Sequence, residues 1–276
     1  MLDRDSVVRS SGFIVAGALR GLETRGDGMT VLSMATVIPP EIAETVLAGR
    51  VRDGLRHEFD RERGLMVEVE HRSLDDVEFL VQRRSVGPSS RRAAASELLR
   101  LVESGDVAIP GWDAAVESFI ERTRRTAGWF PDRGLPAFDE DDLAVMRAEI
   151  IGDRTRISDL PGSEAIIEIL RSAMDWNAAR FVDQMAPTRL SLPGGRGMKL
   201  AWKAGEPPRG SARIGDLVGL ERTPSVAGGR VPVVLEILAP NRRPVQVTDD
   251  LAGFWERSYP AIKKELKRRY PRHPWP

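Results

Sequence analysis

The sequence predicts an α+β protein in three parts: a partial OB-like β-barrel, a small helical bundle, and a C-terminal α+β unit made of a β-hairpin and helices. Three observations carry this. Short apolar runs between glycine-rich turns fill residues 1–86, which suits strands. Apolar residues at helical spacing fill residues 87–186. Residues 187–276 return to strand-like patterning and end in an amphipathic, cationic stretch. Composition breaks at Gly87-Pro88-Ser89-Ser90 and at Ala186-Pro187 set the expected domains at 1–86, 87–186 and 187–276.

In the first part, residues 12–17 and 29–35 read as strands. Residues 39–49 read as a short helix, with prolines in the first turn, early glutamates and Gly49 at its end. Residues 57–71 form a hairpin turning at Gly64, its second arm alternating apolar and polar. Residues 77–82 extend that sheet or begin the link onward. Several short strands with one interposed helix fit a Greek-key barrel of the OB type.

In the second part, helices are expected over residues 93–102, over 112–127 with Trp112, Ala115, Val116, Phe119 and Ile120 on one face, and from Asp139 with Leu143, Met146 and Ile150. One long helix is expected over residues 164–185, burying Ile166, Ile167, Leu170, Met174 and Phe181. In the third part, residues 189–202 form a hairpin around Gly194-Gly195, 214–220 a short helix, and 231–238 and 245–248 strands. Thr248 or Asp249 is the expected cap of the terminal helix. Leu251, Phe254, Trp255 and Tyr259 make an apolar stripe, and Pro260 kinks or restarts the helix. Ile262, Leu266 and Tyr270 line the inner face of the second piece, with most of the lysines and arginines outside.

Composition narrows the function. With 41% hydrophobic and 30% charged residues the chain has ample material for a core. Its net charge is zero, so at most one face is a polyanion surface. The absence of cysteine excludes disulfides, thiolate zinc sites and a cysteine nucleophile. His57, His71 and His273 are too dispersed for a histidine metal centre or a Ser-His-Asp triad. No stretch approaches the length of a membrane span, and the charged first residues carry no secretory signal, so a cytoplasmic location and no membrane partner are expected. No Gly-Lys pair occurs, so the phosphate loop of nucleotide hydrolysis is missing and no cofactor is expected. The Gly194–Gly197 stretch is read as a turn. Gly228-Gly229-Arg230 reads either as a turn or as backbone amides and a guanidinium aimed at an anion. Asp139-Glu140-Asp141-Asp142 could hold Mg²⁺ for a nuclease-like reaction. Consecutive helical side chains fan apart, however, and acids in a first turn complement the helix dipole.

The C-terminal end holds the strongest signal. From Arg257 to Arg272, seven cations (Arg257, Lys263, Lys264, Lys267, Arg268, Arg269, Arg272) face one acid, Glu265. Trp255, Tyr259, Tyr270, His273 and Trp275 are threaded among them. Cations neutralise phosphates and aromatic faces stack on bases, the composition of a nucleic-acid surface. The competing reading is a solvated helix face with an aromatic anchor. Arg242-Arg243 is either a phosphate clamp or a loop ion pair.

These same residues carry a resemblance. TPSVAGGRVPVVLEILAPNRRPVQVT (residues 223–248), DLAGFW (250–255) and KELKRRYPRHPWP (264–276) resemble the carboxyl end of HrpB-type bacterial ATP-dependent helicases, members of the DEAH/RHA-like RNA helicases. The likeness is specific over residues 223–276 and weaker but collinear before them. It implies two RecA-like motor domains, a winged helix and a ratchet-like bundle ahead of this region, none of which is in the sequence. It also implies that residue 1 falls inside the OB-like unit, after its first strand, leaving an unpaired edge that a partner strand could fill. A half of a split helicase, a start placed too late and a remnant all fit that beginning.

The expected function is therefore a non-catalytic, helicase-associated module that binds single-stranded nucleic acid, RNA before DNA, and docks on a separate helicase motor chain. Arg230, Arg242, Arg243, Lys263, Lys264, Lys267, Arg268, Arg269 and Arg272 would bind phosphates. Trp255, Tyr259 or Trp275 would stack on bases. The alternatives are a protein-interaction scaffold and metal-dependent hydrolysis at Asp139–Asp142.

Overall fold

In the computed structural model, which describes residues 8, 12–24, 27–272 and 275, the chain divides into two units, Met1–Leu98 and Leu99–Pro276. The first begins with a two-stranded antiparallel ribbon, β1 (Ile14–Thr24) and β2 (Asp27–Val37), whose register shifts around Gly17. Helix α1 (Pro40–Leu47) follows, with proline in its first turn as expected. A three-stranded meander then runs β3 (Val51–Asp60), β4 (Leu65–Leu74) and β5 (Val77–Ser85), with β4 in the centre.

The β3–β4 turn is the one expected at Gly64. Its φ is +63°, its N–H donates to the Asp60 carbonyl at 2.8 Å, and the Asp60 carboxylate accepts from the Glu62 and Arg63 amides at 3.1 and 3.0 Å. Glycine reaches that conformation without a Cβ penalty. Alternation on β4 buries Leu65, Val67 and Val69 on one face. The ribbon meets the meander through Phe13 and Phe79, edge to face at 4.8 Å. The strands and interposed helix expected of an OB-like unit are present, but among the described residues the two sheets do not close into a barrel.

Helix α2 (Arg91–Glu103) runs across the division between the units. In the second unit, α3 (Ala114–Trp129) is capped by Asp113, which accepts from the Ala115 and Val116 amides, and α4 (Glu140–Ile151) by Asp139, which accepts from the Asp142 amide at 2.9 Å. The single helix expected over 164–185 is instead two, α5 (Ser163–Ser172) and α6 (Trp176–Met185). Asp175 breaks it by accepting from the Ala178 amide at 2.8 Å, an N-cap hidden inside an uninterrupted apolar period. Val116, Phe119, Ile120, Phe138, Ile166 and Leu170 form the helical core.

The chain then builds a five-stranded sheet from β6 (Arg189–Ser191), β7 (Gly197–Ala201), β8 (Arg209–Arg213), β11 (Val234–Leu238) and β12 (Pro244–Thr248), in the order β12-β11-β8-β7-β6. Only β8 and β11 are parallel, and their crossover carries α7 (Ile214–Leu217) and the short pair β9 (Ser225–Val226) and β10 (Val231–Pro232). Strand β8, absent from the expectation, is central. It reads Arg-Gly-Ser-Ala-Arg, with small residues alternating inward: a Cβ on Gly210 would lie 2.6 Å from the Met198 sulfur.

The terminal segment is α8 (Leu251–Gly253), a π-helical turn (Phe254–Ser258) and α9 (Tyr259–Arg269). The cap is Asp250, one or two residues beyond those expected. Its carboxylate accepts from the Gly253 amide at 2.9 Å, while the Thr248 hydroxyl accepts from the Asp250 amide at 2.9 Å. Pro260 restarts the helix: its ring excludes the carbonyl four residues back, and the turn before it is widened.

Candidate nucleic-acid interface

On α9 the sequence period sorts cations from core. Leu266 is buried and Ile262 and Tyr270 partly so, while Lys264, Lys267 and Arg268, spaced i, i+3, i+4, share an exposed face. Arg269 and Arg272 are also exposed. Among the described residues no carboxylate pairs with any of these five. Part of this charge answers the helix itself, since Lys267, Arg268 and Arg269 lie in its last turn, at the negative end of the dipole. Two of the seven cations are otherwise engaged. Arg257 pairs with Asp250 at 2.7 Å, and the Gly253 amide together with that guanidinium holds the Asp250 carboxyl below its ordinary value. Lys263 turns inward, its Nζ over the Tyr259 ring at 5.7 Å.

The aromatic residues expected to stack on bases pack against the core of the unit, Tyr259 buried and Trp255 and Trp275 partly so. Tyr259 is 8% exposed, with its ring edge-on to Trp255 at 4.9 Å and tilted against Phe254 at 5.9 Å. Burial pushes its phenol pKa up. Trp255 is half-buried and donates its indole N–H to the Leu220 carbonyl at 3.0 Å. Trp275 packs against the same core and donates to the Tyr270 carbonyl at 3.2 Å. The rings anchor the terminal helices because their apolar bodies have sheet core to cover and their N–H groups have carbonyls within reach. His273 lies outside the described residues.

The remaining expected cations sit elsewhere in the unit. Arg242, at φ +65°, and Arg243 are exposed in the β11–β12 turn. Arg230 follows β9, donates to the Trp129 carbonyl at 3.4 Å and lies over the Phe130 ring at 4.7 Å. Sequence reasoning passed over Arg122. It is 4% exposed on α3, donates to the Ala186 carbonyl and binds the Asp183 carboxylate at 2.6 Å, tying α3 to α6. Burial pulls the Arg122 guanidinium pKa down from its usual value. Desolvation pulls Asp183 up, yet hydrogen bonds from Arg122 and Arg171 hold it below the usual carboxylate value. Its only signal in the sequence was a charge on the apolar side of α3.

The acidic run behaves as the dipole argument predicts. Asp139 caps α4 and Glu140 pairs with Arg147 at 2.5 Å. Among the described residues no three histidine, aspartate or glutamate side chains gather as metal ligands. No helix among them is long and apolar enough to cross a membrane.

Residues 148–276 match the family of ATP-dependent helicase C-terminal domains named for HrpB. The chain is 32% identical over 182 residues to the ATP-dependent RNA helicase HrpB of Escherichia coli (strain K12), covering 65% of this chain and 22% of that protein. Two crystal structures, of the E. coli DExH-box NTPase HrpB and of the Escherichia coli DEAH/RHA helicase HrpB, align with the whole chain. Their TM-scores are 0.63 and 0.57 and their identities 25% and 24%. The chain spans about a fifth of the curated relative and 34% of each solved chain. Its similarity is to the C-terminal region of HrpB-type ATP-dependent helicases, whose carboxyl end its last residues resemble.

Proposed function

We propose that this chain is the non-catalytic C-terminal module of an HrpB-type helicase and that it binds single-stranded nucleic acid, RNA in preference, through the exposed cations of α9. The observation that carries this is the separation on α9. Lys264, Lys267 and Arg268 project from one face with Arg269 and Arg272 beside them, no carboxylate partners, and the aromatic residues turned into the core. In a protein of zero net charge, a run of exposed cations without carboxylate partners is a local surface attractive to polyanions. Arg242 and Arg243, exposed in a turn, add two guanidinium forks suited to phosphate oxygens. We take the partner to be the ATP-driven motor of such a helicase, in the same polypeptide or supplied in trans. The location is cytoplasmic.

The test is a titration of labelled single-stranded RNA at several salt concentrations. Five phosphate contacts on a single strand give a log–log slope of about −3.5, a loss of roughly a hundred-fold between 50 and 200 mM salt. Affinity that is absent, or indifferent to salt, removes the reading.

A further inference from the structure

Away from α9 the described residues of the second unit carry five guanidinium–ring pairs, and two of them adjoin. Arg133 lies over the Phe181 ring at 4.5 Å. Phe181 meets Phe130 edge-on at 5.0 Å, and Arg230 lies over Phe130 at 4.7 Å. On the same helix as Phe181, Arg180 lies over Trp176 at 5.3 Å, one turn on. Trp176 is 70% exposed, an unusual position for an indole, and Arg133, Arg180 and Arg230 are exposed as well. Among the described residues none of the three guanidinia pairs with a carboxylate; Asp132, exposed beside Arg133, is the nearest acid in sequence.

Arginines held over aromatic rings without counter-ions keep their charge available for a ligand. A guanidinium plane also stacks, and its fork fits phosphate oxygens, which an ammonium does not reproduce. Trp176 contributes an open indole of the kind that stacks on unpaired bases. The α9 face has the complementary composition, cations without an outward ring.

We infer that Trp176, with the guanidinium–ring pairs Arg180–Trp176, Arg133–Phe181 and Arg230–Phe130, forms a stacking site for the bases of single-stranded nucleic acid, distinct from the phosphate-binding face of α9. The inference rests on the proposed nucleic-acid function and adds where the bases are held.

The test compares two probes on the full chain: a single-stranded RNA dodecamer, and an abasic phosphodiester of the same length. Native protein binds the RNA more tightly than the abasic strand. Trp176→Ala, an exposed substitution, weakens RNA about ten-fold and leaves the abasic strand unchanged. Arg133→Lys with Arg180→Lys, which keeps the charge and removes the planar fork, likewise weakens RNA alone. Reversal of Lys264, Lys267 and Arg268 to glutamate weakens both probes alike. If Trp176→Ala and the lysine variants bind RNA as native does, the stacking site is refuted while the α9 reading stands. If native protein binds neither probe, both fall.

Discussion

Tyr259 decides between anchor and stacking platform, and two substitutions separate them. Its ring is 8% exposed and closes an aromatic cluster with Phe254 and Trp255. Truncation to alanine removes a buried ring and should cost about 3–5 kcal/mol. Leucine keeps most of the apolar volume and loses the ring pairings, costing about 1–2 kcal/mol. For a unit of this size each kcal/mol lowers the midpoint by roughly 2–4 °C, so alanine lowers it by about 6–20 °C and leucine by about 2–8 °C. The assay is thermal unfolding followed by near-ultraviolet circular dichroism, together with RNA affinity measured at a temperature where the leucine variant is fully folded. The anchor account predicts that leucine leaves RNA affinity unchanged. A stacking residue would do the opposite: leucine would cost roughly 5–150-fold in affinity, and the midpoint would stay put. That second pattern would refute the packing argument for the terminal helices.

Other outcomes follow from the same structure. Leu235 is fully buried on β11, beside the central strand, so Leu235→Ala should destabilise the second unit by about 2–5 kcal/mol, read from its urea midpoint. The folded-state pKa of Asp183 lies below its ordinary value, so its contribution is present above the usual carboxylate pKa of about 3.9 and is lost as pH falls through the depressed folded value. The urea midpoint of native protein should therefore fall below about pH 4, and Asp183→Asn should lower the midpoint at neutral pH while flattening its acid limb. Side-chain solvent exposure of 44% keeps that effect modest. Asp250→Ala removes the cap of the terminal helix and the partner of Arg257, and should lower the thermal midpoint by a few degrees without altering RNA affinity.

Local chemistry made much of this legible. Gly64 between an extended run and an alternating one specified a hairpin because a left-handed turn there needs glycine. Pro260 announced a restart because proline cannot sustain the ladder behind it. What escaped depended on tertiary context. Strand β8 has no apolar run, since its inward positions are Gly210 and Ala212, made small by the side chains of neighbouring strands, and only the assembled sheet supplies its hydrophobicity. Asp175 splits α5 from α6 without interrupting the apolar period, so periodicity alone merges them. At the site, α9's spacing placed its cations outside. The composition of Trp255, Tyr259 and Trp275 could not tell a ring facing solvent from one facing the sheet, because burial is set by what lies opposite. Trp176 falls inside the single helix expected over 164–185, where periodicity does not say whether an indole faces solvent.

The central claim is that the α9 cations are a phosphate-binding face and the neighbouring rings are its foundation. The most direct measurement is the salt dependence of single-stranded RNA binding by native protein beside the variant with Lys264, Lys267 and Arg268 reversed to glutamate. Losing three phosphate contacts should reduce the slope by about 2 in magnitude and weaken binding most at low salt. Identical slopes for the two proteins, with the variant's fold intact, would contradict the account.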